Sequence, residues 1–245
     1  MAQKTVSLVI PAYNEEQRIV PFLASIAEYA KNNPGNITEV IVVDDGSSDA
    51  TSAVGAKAGT VISGFRVIQH DQNQGKGAAV QTGVLEARGD YIIFMDADGA
   101  TDIAELPKII AALENVDIAV GNRWMAGAQT ERHSLLRTLS GFMYRNYMAL
   151  FGLGAIDTMC GFKGYKANVA RDLYRDLQEK RWLFDTEIAY RAVKRGYSIK
   201  NFPIKWESKD GSKLDTATLI KSALNILPLV QDIKKQERDR LKVAL

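Results

Sequence analysis

Apolar positions along this chain fall into short unbroken runs that alternate with stretches spaced for helices. Val6 to Pro11 is a mostly apolar run of strand length, and polar residues follow it. Ile19, Phe22, Leu23, Ile26, Ala27 and Ala30 then recur at helical spacing, with Asn14 and Gln17 expected as the capping pair of that helix. Val40–Val43 reads as a second buried strand, and Asp44-Asp45-Gly46-Ser47-Ser48-Asp49 behind it as a turn and helix N-cap. Phe65 to Gln69 forms a third strand, and Gly75 to Arg88 a loop and helix. Tyr91–Met95 is a fourth strand, too short and too rich in β-formers for a helix. A helix near Ile103–Leu113 and a strand at Asp117–Val120 continue the rhythm. Repeated strand–helix–strand units predict a mostly parallel α/β sheet with ligand chemistry along one edge.

Composition narrows this picture. With 245 residues and 46% apolar content, the chain can bury the core of one α/β domain, or of one domain plus a tail. The formal charge of +2 argues against nucleic acid as a partner. Cys160 is the single cysteine, which excludes an intrachain disulfide and a cysteine-based zinc cluster and fits a reducing compartment. Met1–Thr5 leads straight into the first strand, so no signal peptide is expected. No run of about 18 uncharged apolar residues is present, so a soluble or peripheral protein is expected.

The chemistry concentrates at Asp96-Ala97-Asp98-Gly99, which ends the fourth strand. Open α/β sheets bind ligands beyond the carboxyl ends of their strands. Two carboxylates there offer hard oxygens to Mg²⁺ or Mn²⁺, and equally they serve as caps for the next helix. Gly75-Lys76-Gly77 is neither a dinucleotide fingerprint, since Val80 stands where a further glycine belongs, nor a P-loop, since Gly77 and His70 occupy its required positions. On its own, Lys76 reads as a phosphate or base contact or as a solvated loop lysine.

The ordered set is more specific than any member. Val9-Ile10-Pro11-Ala12-Tyr13-Asn14-Glu15-Glu16, Val42-Val43-Asp44-Asp45-Gly46-Ser47-Ser48-Asp49, Gly75-Lys76-Gly77 and Asp96-Ala97-Asp98 together resemble the family 2 glycosyltransferases of the GT-A fold. Asp157–Lys163, Arg181–Glu187 and Gly211–Leu214 narrow the resemblance to polyprenyl-phosphate glycosyltransferases, above all dolichyl-phosphate β-glucosyltransferases, with the mannose synthases as near relatives. The resemblance implies a GT-A domain over residues 1–215 and an amphipathic, charged helical tail over 216–245. It places Pro11, Tyr13, Glu15, Asp45, Lys76, Asp96, Asp98 and Arg123 on the donor, with Asp45 accepting from a base N–H. Of Asp44 and Asp45, one is expected to serve the turn alone. The resemblance gives the metal, Mg²⁺ or Mn²⁺, to Asp96 and Asp98. It puts Arg137, Trp182, Asp185 and Lys213 on the acceptor side, and Asp98, Arg123, Arg137 and Asp185 in catalysis. Arg132 and Arg145 read as ordinary charges, and His133 as an edge or capping residue. Ala100 stands where mannose synthases carry a glutamine, which favours UDP-glucose over GDP-mannose as donor.

The implied reaction is inverting transfer of a hexose to polyprenyl or dolichyl phosphate, giving a β-linked product. A phosphate monoester is largely ionised at neutral pH and is its own nucleophile, so Asp185 is expected to position rather than to abstract a proton, unless it simply caps its helix. A hydroxyl acceptor would instead make Asp185 the base. A scaffold without turnover has no need of the combined set. Leu136, Leu139, Met143, Tyr147, Leu150 and Phe151, and the stretch from Thr216 to Val230, are spaced for interfacial helices, though core packing gives the same spacing. Peripheral association with the cytoplasmic face of a membrane follows from this reading.

Overall fold

The computed structural model describes residues 4–131, 135–209 and 216–243. Among the described residues the strands are β1 (Val6–Ala12), β2 (Glu39–Asp44), β3 (Phe65–Gln69), β4 (Tyr91–Met95), β5 (Ile118–Asn122), β6 (Gln129–Glu131), β7 (Phe162–Lys166), β8 (Ile199–Pro203) and β9 (Lys205–Glu207). The helices are α1 (Ile19–Asn32), α2 (Thr51–Gly59), α3 (Lys76–Glu86), α4 (Leu106–Leu113), α5 (Leu135–Ala149), α6 (Ala167–Arg175), α7 (Phe184–Lys194) and α8 (Thr216–Val243).

Seven strands form one sheet in the order β3-β2-β1-β4-β7-β5-β8. All pairs are parallel except those of β7, which lies antiparallel between β4 and β5. The chain builds outward from β1 through β2 to β3, then returns to place β4 on the other side of β1. That reversal is the switch point at which an open α/β sheet forms its ligand crevice. β6 and β9 pair separately as a short parallel ribbon, and Trp206 of β9 bridges to Thr101 just past β4.

Both faces of the sheet are covered, which is why its strands read as near-continuous apolar runs. Leu8, Ile10, Val40 and Val42 pack on one side with Phe22, Leu23 and Ile26 of α1 and Ile109 of α4. Val9, Ile41 and Val43 face the other side, against Val80 and Val84 of α3 and Phe184 and Ile188 of α7. The helix expected at Ile103–Leu113 is a 3-10 turn over Ile103–Glu105 followed by α4, and β5 extends two residues beyond the expected Val120.

Asn14 and Gln17 do not cap α1. Asn14 adopts φ of 50°, accepts from the Ser48 amide at 2.9 Å and donates its own amide to Ser47 Oγ, so it ties the end of β1 to the loop after β2. Arg18 holds the N-cap position without a side-chain cap bond. The boundary expected at residue 215 lies outside the described residues. Past it, Ile226, Val230 and Ile233 of α8 are buried in the cluster that holds α7, so this part of the helix is packed on the domain. The side chains of Leu219, Ile220, Ala223 and Leu224 lie outside the described residues. Among those described, no helix is long and apolar enough to cross a membrane.

Candidate active site

The carboxyl ends of β1, β2, β4 and β5 converge on a cleft of about 490 Å³. This is within the usual range for small-molecule sites. Pro11, Tyr13, Glu15, Asp45, Lys76, Asp96, Asp98, Arg123, Trp182 and Asp185 all line it. The structure thus brings together every sequence-predicted site residue except Arg137 and Lys213, whose side chains lie outside the described residues, as does His133. Arg18, Asn73, Met159, Phe184 and Trp206 also line the cleft and were not singled out as site residues.

Lys76 lines the cleft and is paired there, unlike a solvated loop lysine. Its Nζ stands 2.6 Å from Asp96 Oδ1 and above the Trp182 ring, 5.7 Å from the centroid. Burial works against its charge, but Asp96, Asp185 and Asp98 more than offset this and hold its pKa above that of an ordinary lysine. The two glycines around it are packing devices. A methyl on Gly75 would strike the Lys180 carbonyl, and one on Gly77 would come within 2.6 Å of Phe184 Cβ. The Gly77 and Ala78 amides donate to the Arg181 and Lys180 carbonyls at 3.3 and 3.0 Å. The first turn of α3 therefore binds the 180–181 segment, and it lines the cleft with Lys76 and Ala79.

Asp45 sits at the cleft floor with both oxygens engaged. Oδ1 faces His70 Nδ1 at 2.8 Å and accepts from the Gln74 amide at 2.9 Å. Oδ2 accepts from Asn73 Nδ2 at 2.9 Å and from the Gly75 amide at 2.8 Å. These four partners match the lone-pair capacity of a carboxylate. Asp45 thus organises the 73–75 loop here, and a bond to a base N–H would have to replace one of the four. Asp44 accepts from Ser47 through Oδ1, as expected of a turn residue, while its buried Oδ2 has no hydrogen bond.

Asp96 and Asp98 face each other's charge. Burial first, and Asp96 second, push the Asp98 carboxyl above its ordinary range, against a hydrogen bond from the Ala100 amide at 2.9 Å. Asp96 Oδ1 is buried and lacks a hydrogen bond of good geometry despite the nearby Lys76 ammonium. Two carboxylates one residue apart supply the hard oxygens that suit a divalent cation, with Asp96 Oδ1 held here by the Lys76 ammonium. Among the described residues no third His, Cys, Asp or Glu joins them in a ready metal cluster. The remaining ligands would come from water and diphosphate oxygens.

Gly161 makes room for this pair. Its carbonyl accepts from the Asp96 amide at 3.0 Å, and a methyl in place of its hydrogen would overlap the Asp96 carboxylate. Gly161→Ala is expected to lower turnover by about 10²-fold or more, since small misplacements at a reacting centre cost that much. Unchanged thermal melting beside reduced kcat would confirm a local effect; unchanged kcat would show that Asp96 placement is not limiting.

Arg123 uses its fork on Asp157, with Nε–Oδ2 and Nη2–Oδ1 both at 2.8 Å, and lies 5.2 Å from the centroid of the Trp206 ring. Burial raises the Asp157 carboxyl, but the arginine outweighs it and holds the pKa below the usual range. Asp185 is not the cap of α7, because Leu183 holds that position. Its Oδ1 pairs with Lys163 Nζ at 2.9 Å, and that ammonium also donates to the Thr158 and Cys160 carbonyls. Burial raises the Asp185 pKa, with Lys163 and Lys76 opposing. Asp157 and Lys163 bound one sequence motif, but no spacing rule pairs them with Arg123 and Asp185, more than twenty positions away. Cys160 is fully buried, with its thiol pushed up to about 12 by desolvation, so it is an inert packing residue.

A switch-point cleft with paired aspartates at a strand end and a half-buried lysine is the arrangement that the resemblance to GT-A glycosyltransferases predicts. The family model for glycosyl transferase family 2 matches residues 7–174, and the chain belongs to that family. It is 35% identical over 235 residues to a dolichyl-phosphate beta-glucosyltransferase of Trichomonas vaginalis, covering 91% of this chain and 70% of that one. It is also 35% identical over 228 residues to the human dolichyl-phosphate beta-glucosyltransferase, covering 86% and 70%. The fold matches glucosyl-3-phosphoglycerate synthase of Mycobacterium tuberculosis, in a complex with Mn²⁺, UDP and glucosyl-3-phosphoglycerate, with a TM-score of 0.71 at 18% identity, over 94% of this chain and 80% of that one.

Proposed function

We propose that this enzyme transfers glucose from UDP-glucose to dolichyl or another polyprenyl phosphate, inverting the anomeric centre to give a β-linked lipid-phosphate sugar. The observation that carries the reading is the similarity, across most of the chain, to relatives named for that reaction, with the whole described donor set lining one cleft. Asp96 and Asp98 would hold Mg²⁺ or Mn²⁺, which supplies positive charge opposite the departing diphosphate. Lys76 and Arg123 add fixed cations to the same edge, where a preorganised charge needs no reorganisation during transfer. The acceptor is an ionised phosphate and needs no base. The Lys163 pairing of Asp185 supports a positioning role for that carboxylate, with Trp182 lining the same cleft. The reaction would run at the cytoplasmic face, where sugar nucleotides are made.

Radiolabelled UDP-glucose and GDP-mannose, each offered with polyprenyl phosphate and either metal, test this directly. Label in the lipid from UDP-glucose, abolished by chelator, is the expected result. Lipid label from GDP-mannose alone would make the enzyme a mannose synthase. Donor hydrolysis without lipid label would move the acceptor to a hydroxyl compound and make Asp185 its base.

A further inference from the structure

Asp45 divides its lone pairs evenly between backbone and side chains. Oδ1 takes the Gln74 amide and His70 Nδ1, and Oδ2 takes the Gly75 amide and Asn73 Nδ2. The backbone half of this set has no room to retreat. A methyl on Gly46, whose φ is 66°, would overlap the Gln72 and Asn73 backbone, so the 45–46 turn lies directly against the loop. A ligand group that reaches this carboxylate must therefore displace a side chain. The two side chains differ in how easily they yield. Asn73 lines the cleft and is partly exposed, so its amide can swing aside. His70 does not line the cleft, and its side chain is 9% exposed behind an Asp45 side chain that is 3% exposed. Its Nε2 meets Thr82 Oγ1 of α3 at 3.0 Å, and its backbone amide donates to the Asp44 carbonyl at 2.9 Å. A carboxylate oxygen only accepts, so Nδ1 carries the proton of its bond, and the ring is held at both nitrogens. Asn73 yields and His70 stays.

A nucleobase can then claim one lone pair of Asp45, on Oδ2, but not one on each oxygen. Uracil presents a single ring N–H between two carbonyls, and the displaced Asn73 amide is a donor that suits either carbonyl. Guanine presents two adjacent N–H groups, which a carboxylate takes with both of its oxygens. Here His70 withholds the second oxygen, so one guanine N–H would be left unpaired in a buried place. Cytosine has no N–H at the corresponding ring position and would set a lone pair against the carboxylate. Sites that reject a ligand through unpaired buried groups discriminate more sharply than sites that merely fit its shape.

We propose that His70 makes this site read uracil: tied to Thr82, it holds Asp45 Oδ1 and leaves a base N–H only the Oδ2 lone pair that Asn73 gives up. His70 is a positioning residue, because it acts on the base through Asp45. The inference rests on the UDP-glucose reading above, with Asp45 facing the base, and supplies a cause for its selectivity.

Titration calorimetry of the full chain with UDP, GDP and CDP, each with Mg²⁺, would be run on the parent and on His70→Ala, His70→Gln and His70→Asn. The Asn amide can reach Asp45 from the place of Nδ1, the Gln amide can reach Thr82 from the place of Nε2, and Ala reaches neither. The parent should bind UDP at least about tenfold more tightly than GDP or CDP, the factor that one unpaired buried group imposes. The preference over GDP should fall about tenfold in the Ala and Gln variants and stay within about threefold of the parent's in the Asn variant. A fall shared by Asn, or absent from Gln, would make His70 a packing residue and overturn the inference. CDP bound as tightly as UDP would overturn it too, by removing Asp45 from the base. Gln fills the space of the imidazole, so it decides the matter should the Ala variant not fold. A parent that prefers GDP would strike this inference and the UDP-glucose reading together. A parent that prefers UDP but labels no lipid in the assay above would leave this inference standing and strike the acceptor alone.

Discussion

Asp98→Asn is expected to lower glucose transfer by about 10³-fold while leaving the fold intact, the scale at which loss of a charge-stabilising group in an active site is felt. The substitution is close to isosteric and keeps an oxygen able to accept from the Ala100 amide, so the 98–100 turn need not change. What it removes is one of two mutually repelling charges. In the metal-free protein the Asp98 pKa is raised, so its ionised form is disfavoured by folding at neutral pH. The sign follows: a carboxyl easier to ionise in the unfolded chain subtracts stability above its folded pKa. Asp98→Asn should therefore melt no lower, and slightly higher, than the parent in chelator at pH 7. Added Mn²⁺ should raise the parent's melting temperature and shift the variant little. A variant that retains transfer would remove Asp98 from the reaction. A variant that melts far below the parent would show that the pair is structural and the repulsion argument wrong.

Glu187→Gln carries the second large expectation, because it acts on folding and on the site together. Glu187 is fully buried in α7 and accepts from Arg191 Nε at 2.8 Å, from the Glu179 amide at 2.7 Å and from the Gln178 amide at 3.1 Å. It anchors the turn that leads into Lys180 and Arg181, whose carbonyls take the first amides of α3, the helix that begins at Lys76. On its other side Arg191 reaches Glu237 of α8 at 2.7 Å. In the glutamine variant one oxygen becomes an amide nitrogen facing donors, and a buried guanidinium loses one of its two carboxylates. Breaking such a buried pair costs about 3 kcal/mol, which for a chain of this size lowers the melting temperature by roughly 6–12 °C. Loosening the 178–181 segment should also lower kcat/KM by about tenfold, through displaced Lys76 and Trp182. Glu237→Gln is the control: it weakens the same ion network from α8 but leaves the Glu187 contacts to the turn. It should reduce thermal stability and spare kcat/KM at low temperature. Equal loss of kcat/KM in both variants would show that the ion network, rather than the turn anchored by Glu187, controls the site.

Much of the candidate site was legible because its residues end strands. A parallel strand buried on both faces reads as an apolar run, and the polar residues immediately after Ala12, Val43, Met95 and Gly121 mark the edge where chemistry gathers. Local signals were weaker guides where a side chain could bond either within its own segment or across the fold. Asn14 had the spacing of a cap and instead joins the Ser47–Ser48 turn. The resemblance gave Asp45 to a base N–H, and in the structure its lone pairs serve His70 and the 73–75 loop. Arg145 read as an ordinary charge, yet it lies over Trp124 and Phe142.

The sequence by itself determined the α/β class, the mostly parallel sheet and the concentration of carboxylates at the end of β4. Each depends on periodicity and composition within a segment, which strand and helix geometry convert directly into faces and ends. The tertiary structure alone decided that β7 enters antiparallel between β4 and β5, so that Gly161 abuts Asp96, and that Asp157 and Lys163 engage Arg123 and Asp185. It alone decided that α5 turns apolar side chains outward while α8 turns Ile226, Val230 and Ile233 inward. Periodicity reports that a face is apolar; what covers it depends on how the chain closes over distances at which sequence spacing carries no signal.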